Sequence, residues 1–474
     1  MNTRTAISVM LVLAVVGLAP AQPHEAPTAI QRAPETVRST GVIGRLIERA
    51  APGDTIIVPP GVYREHLRLD KPLTLEGGGK AVIDGDGHGD IVEISAPDVT
   101  FRGFIVRNTG DNLDKENAAI RALAPRATIE HNTLTDILFG IDLREAPDSV
   151  IRGNVIGGKP LDPARRGDGL RLWRSDRALV EGNTLHDGRD AILWYSKGVV
   201  ARGNTSRRCR YGLHLMFSDD VLIEGNTLEG NSVGVYLMYS TGVEVRGNRL
   251  LANRGPSGYG VGLKETDRFT LRDNYIAGNR VGIYLDGSPF TQAQPGRVTL
   301  NTLAFNDVGM TFLPSAKGNL VTENNFIDNL NQVFVAGRGN LDANRFWEGD
   351  RGNFWTDYSG YDQDRDGIGD FVHDSTTLFD GLLDREPKLR LFLFSPAQQA
   401  VEFVGRALPT MRPEPKFVDE VPLMRPVAVT LPPAPRTASR VMLIAGAGVL
   451  VGVFLSVLAA ARLPACVFEI GGRS

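Results

Sequence analysis

The sequence predicts an all-β chain, a parallel β-helix of coils about 22 residues long, and two observations predict it. A phrase of the form apolar-x-apolar-x-Gly-Asn, or close to it, recurs through the middle of the chain, as at Leu179–Asn183, Val199–Asn204, Val221–Asn226 and Val243–Asn248. Each copy also carries a second alternating phrase about thirteen residues before its Asn, as in Gly234-Val235-Tyr236-Leu237-Met238. Alternation with period two marks strands, and Gly-Asn or Asp-Gly between them marks turns.

The repeat fixes the coil length. Asn183, Asn204, Asn226 and Asn248 are 21, 22 and 22 residues apart, and further copies end at Asn132, Asn154, Asn274, Asn301 and Asn325. That period is too short for a propeller blade and lacks the leucine pattern of leucine-rich repeats. Stacked coils place the asparagines above one another at the ~4.8 Å strand spacing, where amides can bond along the axis.

The ends follow. Residues 1–21 have a basic start, an apolar stretch and Ala-Pro-Ala, the three parts of a secretory signal. The coils with their capping elements are assigned to residues 37–390, opening with an amphipathic helix from Val42 that turns Ile43, Leu46 and Ile47 inward to close the first coil. Ser395-Pro396-Ala397-Gln398 carries a cap residue, Pro at the first helical position and a Gln box partner, so residues 391–408 are assigned to a helix. Residues 409–440 are Pro-rich and read as an extended tether. Residues 441–461 contain no charged side chain and are long enough to cross a bilayer. The signal then orients the body outside and leaves residues 462–474 as a cytoplasmic tail. The expected location is the periplasm, anchored to the inner membrane.

Composition narrows function. A formal net charge of −3 over 474 residues offers no clustered basic surface for nucleic acid. The two cysteines, Cys209 and Cys466, make no disulfide framework, and Cys209 reads as a core residue.

Register carries the candidate site. With Val235 and Leu237 facing inward, Tyr236 and Met238 face out. Carried through the repeat, this gives one outward column of Arg171, Ile192, His214, Tyr236 and Gly262, and a neighbouring column of Trp173, Trp194, Met216, Met238 and Lys264. Large apolar side chains in an outward ladder call for a partner, so Trp173, Trp194, Tyr236 and Lys264 are assigned to an interface. One imidazole and two thioethers, His214, Met216 and Met238, suit Cu(I) held transiently. Near the end of the coils, Asp362, Asp364, Asp366 and Asp370, with the carbonyl of Ile368, match the front of a structural calcium loop. His373 stands where a bidentate Glu would complete it.

Three phrases then carry a resemblance: Tyr211-Gly212-Leu213-His214-Leu215-Met216-Phe217-Ser218, Gly234 to Ser240, and Gly260-Val261-Gly262-Leu263-Lys264. Together with Asn353-Phe354-Trp355 through Asp370 and Pro422-Leu423-Met424-Arg425-Pro426, they resemble the NosD family of nitrous oxide reductase maturation proteins, in the same order from about Val37 to Pro426. The resemblance implies a periplasmic right-handed β-helix that works with an ABC-type permease and its ATPase. It also implies support for copper insertion into apo nitrous oxide reductase, helped by a copper-carrying lipoprotein, and no catalysis by the chain itself. The rival reading is a polysaccharide lyase, hydrolase or sugar-binding β-helix, with Trp173 and Trp194 as its aromatic ladder. The coil acids Asp142, Asp168 and Asp190 fall into no paired spacing that such chemistry needs.

Overall fold

The structure, a computed structural model, describes residues 41–337, 339–374, 378–392, 395–407 and 415–429. The signal at 1–21, the apolar run at 441–461, the tail at 462–474 and Cys466 lie outside the described residues. Among the described residues no helix is long and apolar enough to cross a membrane.

Among the described residues, each coil contributes one strand to a 12-stranded parallel sheet, and most coils contribute two short strands to a second, 23-stranded parallel sheet, where Thr74–Asp84 and Thr100–Arg107 run as single longer strands. The chain thus winds as a right-handed parallel β-helix. The short strands show why the repeat is written as it is. Their central residues, such as Val180, Ala201, Ile223 and Val245, point inward and are fully buried, while the flanking residues reach the surface. Gly182, Gly203, Gly225 and Gly247 all turn at positive φ near 62°, a conformation glycine adopts without a Cβ penalty. The following Asn sits at the bend.

Those asparagines form a continuous ladder. The N–H and side-chain amide of Asn204 both donate to Oδ1 of Asn226, at 2.8 and 3.0 Å, while the same amide donates to the Val180 carbonyl at 2.9 Å. The pattern runs from Asn132 through Asn154, Asn183, Asn204, Asn226, Asn248, Asn274 and Asn301. It continues through Asn324, not Asn325. Glu323 takes the left-handed turn position there, so Asn324 falls at the bend and Asn325 begins the next strand. A second ladder absent from the sequence reading runs Asn231, Asn253, Asn279, Asn306, Asn329 and closes on Gln332. Cys209 heads it by donating its N–H to Asn231; its thiol is buried, and burial pushes its pKa up.

Both ends are closed. Helix α1 (Val42–Arg49) buries Ile43 and Ile47 over the first coil, and its leading N–H groups at Ile43 and Gly44 are capped by the Glu65 carboxylate, each at 3.1 Å. The coils stop at Phe354–Trp355. Helix α2 (Leu378–Arg385), a 3-10 turn (Pro387–Phe392) and helix α3 (Pro396–Ala407) follow.

The tether assignment for 409–440 requires correction where the chain is described. Residues 415–429 return to the last coil instead of running extended. Asp419 is the reason: its carboxylate accepts the N–H and amide of Asn353, the last ladder asparagine, at 2.7 and 3.2 Å, and the Trp355 indole N–H at 2.9 Å. Without it the ladder would end on unsatisfied donors. Phe417 also covers Trp355 and Phe346, so the segment closes the core as well as the ladder.

Candidate copper and docking face

Six strands of the 12-stranded sheet build the face: β1 (Leu170–Trp173), β2 (Asp190–Trp194), β3 (Tyr211–Met216), β4 (Val233–Met238), β5 (Tyr259–Lys264) and β6 (Val281–Asp286). Their inward residues, among them Leu172, Leu193, Leu215, Leu237 and Leu263, are fully buried. Parallel pairing aligns Trp173, Trp194, Met216, Met238 and Lys264 in one outward column. Arg171, Ile192, His214, Tyr236 and Gly262 align in the next.

The face is less open than an exposed ladder. His214 is only 6% exposed, and Arg171 and Ile192 are comparably covered; Trp173, Trp194, Met216, Met238, Tyr236 and Lys264 are half-buried. Neighbouring outward rings shield them. Trp194, Tyr195, Phe217 and Tyr239 stack successively at 5.0–5.8 Å, and the Lys264 ammonium lies 5.7 Å from the Tyr239 ring centre. Tyr211 meets the His214 ring edge-on at 4.9 Å. Burial beside Tyr211 and Tyr284 pushes the Tyr236 phenol up to about 12.

Two of the three copper candidates meet. Nε2 of His214 lies 3.3 Å from Sδ of Met238. Met216 stands opposite Met238 on the adjacent strand. The residue that sequence reasoning assigned no part here is Asp190: its Oδ2 lies 3.2 Å from Nδ1 of His214, and Arg210 grips the same carboxylate. Burial works to raise the Asp190 pKa, but hydrogen bonds from Arg210 and His214 outweigh it and hold the acid below its ordinary value. In the neutral imidazole, a proton on Nδ1 toward the carboxylate would leave the Nε2 lone pair facing the thioether. The donor set, one imidazole nitrogen with a thioether and a second thioether one strand away, fits a soft cation.

The coil acids are each closed by arginine. Asp142 is bidentate to Arg171 at 2.8 Å through both contacts, which overcomes its burial and lowers it to about 2. Asp168 is bidentate to Arg189 at 2.8 and 3.0 Å, yet burial keeps its pKa raised.

The acidic loop lies apart, at the end of the solenoid. Asp362, Asp364 and Asp366 each present an oxygen within 4.8 Å of the others. Asp370 turns its carboxylate to the Gln363 N–H at 2.7 Å instead, and Ile368 bridges to Leu423. His373, at the position of the missing Glu, is buried and stacks on Trp355 at 4.7 Å.

Fold and face together describe a parallel β-helix whose outer face brings His214, Met216 and Met238 onto neighbouring strands. A family model described as periplasmic copper-binding protein (NosD) matches residues 156–360, the span that contains the whole face. A probable ABC transporter binding protein NosD from Pseudomonas aeruginosa is 31% identical over 381 residues, covering 77% of this chain and 87% of that protein. A protein of the same description from Stutzerimonas stutzeri is 29% identical, covering 78% and 86%. The A-module of an Azotobacter vinelandii mannuronan C-5 epimerase matches at 16% identity with a TM-score of 0.44, covering 62% of this chain and 90% of that one. This chain belongs to the NosD family.

Proposed function

We propose that this protein works in the periplasm beside an ABC-type transporter and hands on Cu(I) during copper-cluster assembly in nitrous oxide reductase. The observation that carries the reading is the His214–Met238 approach at 3.3 Å, with Asp190 holding the far side of the imidazole. His214, Met216 and Met238 bind the ion as cargo, and Cu(I) supplies no chemistry to this chain. Only a few ligands engage it, which suits a carrier that must release as well as capture. Trp173, Trp194, Tyr236 and Lys264 flank the ligands and form the surface on which a partner seals the site. That partner is the transporter's permease, apo nitrous oxide reductase or a copper-carrying lipoprotein, each of which would meet the same face; the ATPase is linked to it only through the permease. Supporting a non-catalytic role, the coil acids Asp142 and Asp168 are spent on arginines.

The reading includes a membrane anchor at residues 441–461. It also includes a structural calcium ion at Asp362, Asp364 and Asp366, supported by the convergence of their carboxylates.

The test is genetic and chemical together. Deleting the gene should yield secreted nitrous oxide reductase lacking its catalytic copper cluster, and a chain with Met216→Leu and Met238→Leu should fail to restore it. A fully loaded reductase from the deletion strain would overturn the role.

A further inference from the structure

We propose that the outward face of α3, with the adjoining turn at Leu391 and Phe392, rests in the headgroup region of a lipid bilayer. The proposal builds on the membrane anchor of the reading above and adds a second, non-spanning contact. A helix on a water-soluble surface turns apolar residues inward and polar ones out. Helix α3 departs from this, although Val401 is half-buried and Gln399 is exposed as the rule expects. Its inward side carries Gln398, which reaches the Asn331 side chain at 3.5 Å, and Glu402, whose carboxylate accepts the N–H groups of Leu378 and Phe379 at 3.2 and 3.0 Å. Gly405 completes that side, packed so closely on Leu378 that a Cβ would come within 2.9 Å of it.

Its outward side carries Pro396, Ala400, Phe403, Val404 and Ala407, all exposed and spaced as one helical stripe. Phe403 is 74% exposed, and Leu391 in the preceding turn is 87% exposed. In sequence, Arg385, Lys388, Arg390 and Arg406 fall in the same stretch as the stripe, together with Asp380, Asp384 and Glu386. An exposed apolar helix stripe with basic residues nearby in sequence is a pattern of helices that lie in a membrane interface.

Location selects lipid as the occupant. Gln398 fixes α3 to Asn331 on the last coil, and the outgoing chain lies on the same coil, where Val427 exchanges both backbone hydrogen bonds with the Asn325 amide at 2.7 and 2.8 Å. Described residues end at 429, and the uncharged run begins at 441. Twelve residues span at most about 40 Å fully extended. A bilayer-crossing segment there would hold the α3 end of the solenoid within that distance of the membrane surface.

The test uses the full chain carrying Cys466→Ser and Phe403→Cys, labelled with an environment-sensitive fluorophore. It is reconstituted in phosphatidylethanolamine–phosphatidylglycerol vesicles with and without headgroup-proximal doxyl lipid. We expect at least twofold quenching at position 403 and none at an equivalent label placed by Lys80→Cys, exposed near the opposite end. Protein that floats with the vesicles but is unquenched at 403 overturns the lipid contact and leaves the anchor standing. Protein that does not float overturns both. A signal that appears only when the ABC transporter is added also overturns the proposal, in favour of a protein partner.

Discussion

His214 and Met238 are separated by 24 residues of chain and 3.3 Å of space, Nε2 against Sδ. In the neutral tautomer with Nδ1–H toward Asp190, the two facing atoms are both lone-pair donors, and neither supplies a hydrogen to the other. A soft cation between them resolves that arrangement. Asp190→Asn removes the charge that orients the ring and should weaken Cu(I) binding by about 10–100-fold. Competition against a colorimetric Cu(I) chelator measures it, with circular dichroism checking the fold. Wild-type affinity in the variant would remove Asp190 from the site.

The Asn ladder makes a sharp stability prediction. Asn226→Ala takes away the acceptor of two donors on Asn204 and both amide contacts of its own. Leaving buried donors unpaired should cost roughly 2–4 kcal/mol, read from urea unfolding. The same change at Asn325, which is outside the ladder, should cost less. Equal losses would contradict the ladder assignment.

Asp419 gives the fold a pH dependence. Burial outweighs the N–H groups that Asp419 accepts and raises its pKa to about 6, against about 3.9 for a free aspartate. A folded-state pKa above the unfolded one means the native protein binds the extra proton. The stabilisation is therefore complete below about pH 4 and is lost as pH rises through 6, a change of about 3 kcal/mol. Thermal unfolding at pH 5 and pH 7 should show this group's loss in the wild type and its absence in Asp419→Asn, which keeps an acceptor oxygen. A wild type and variant with identical pH slopes would contradict the assignment.

For the acidic loop, millimolar calcium should raise the unfolding temperature by a few degrees, and Asp362→Asn with Asp366→Asn should abolish the rise. An unshifted wild type would exclude an ion there and leave the loop closed by its own N–H groups, which already bond Asp362 and Asp366.

Much of the site was legible because a coil repeat converts sequence spacing into spatial register. Once Val235 and Leu237 were placed inward, the columns through Met216, Met238, His214 and Tyr236 followed, and the pairing bears them out. Asp190 escaped because the register shifts between Asp190 and Ile192, so simple counting does not bring it to His214. Asn324 and Asn325 are adjacent, and only the left-handed turn at Glu323 decides between them. The return of residues 415–429 hangs on Asp419 meeting Asn353 across 66 residues, outside any repeat. The Pro-rich composition of that stretch pointed the other way.

X-ray absorption at the copper edge of the Cu(I)-loaded protein reads which atoms of His214, Met216 and Met238 hold the ion. The account predicts one nitrogen and two sulfur scatterers, with both sulfurs lost in the Met216→Leu, Met238→Leu chain. A first shell of oxygen and nitrogen alone, or a spectrum the double substitution leaves unchanged, would contradict it.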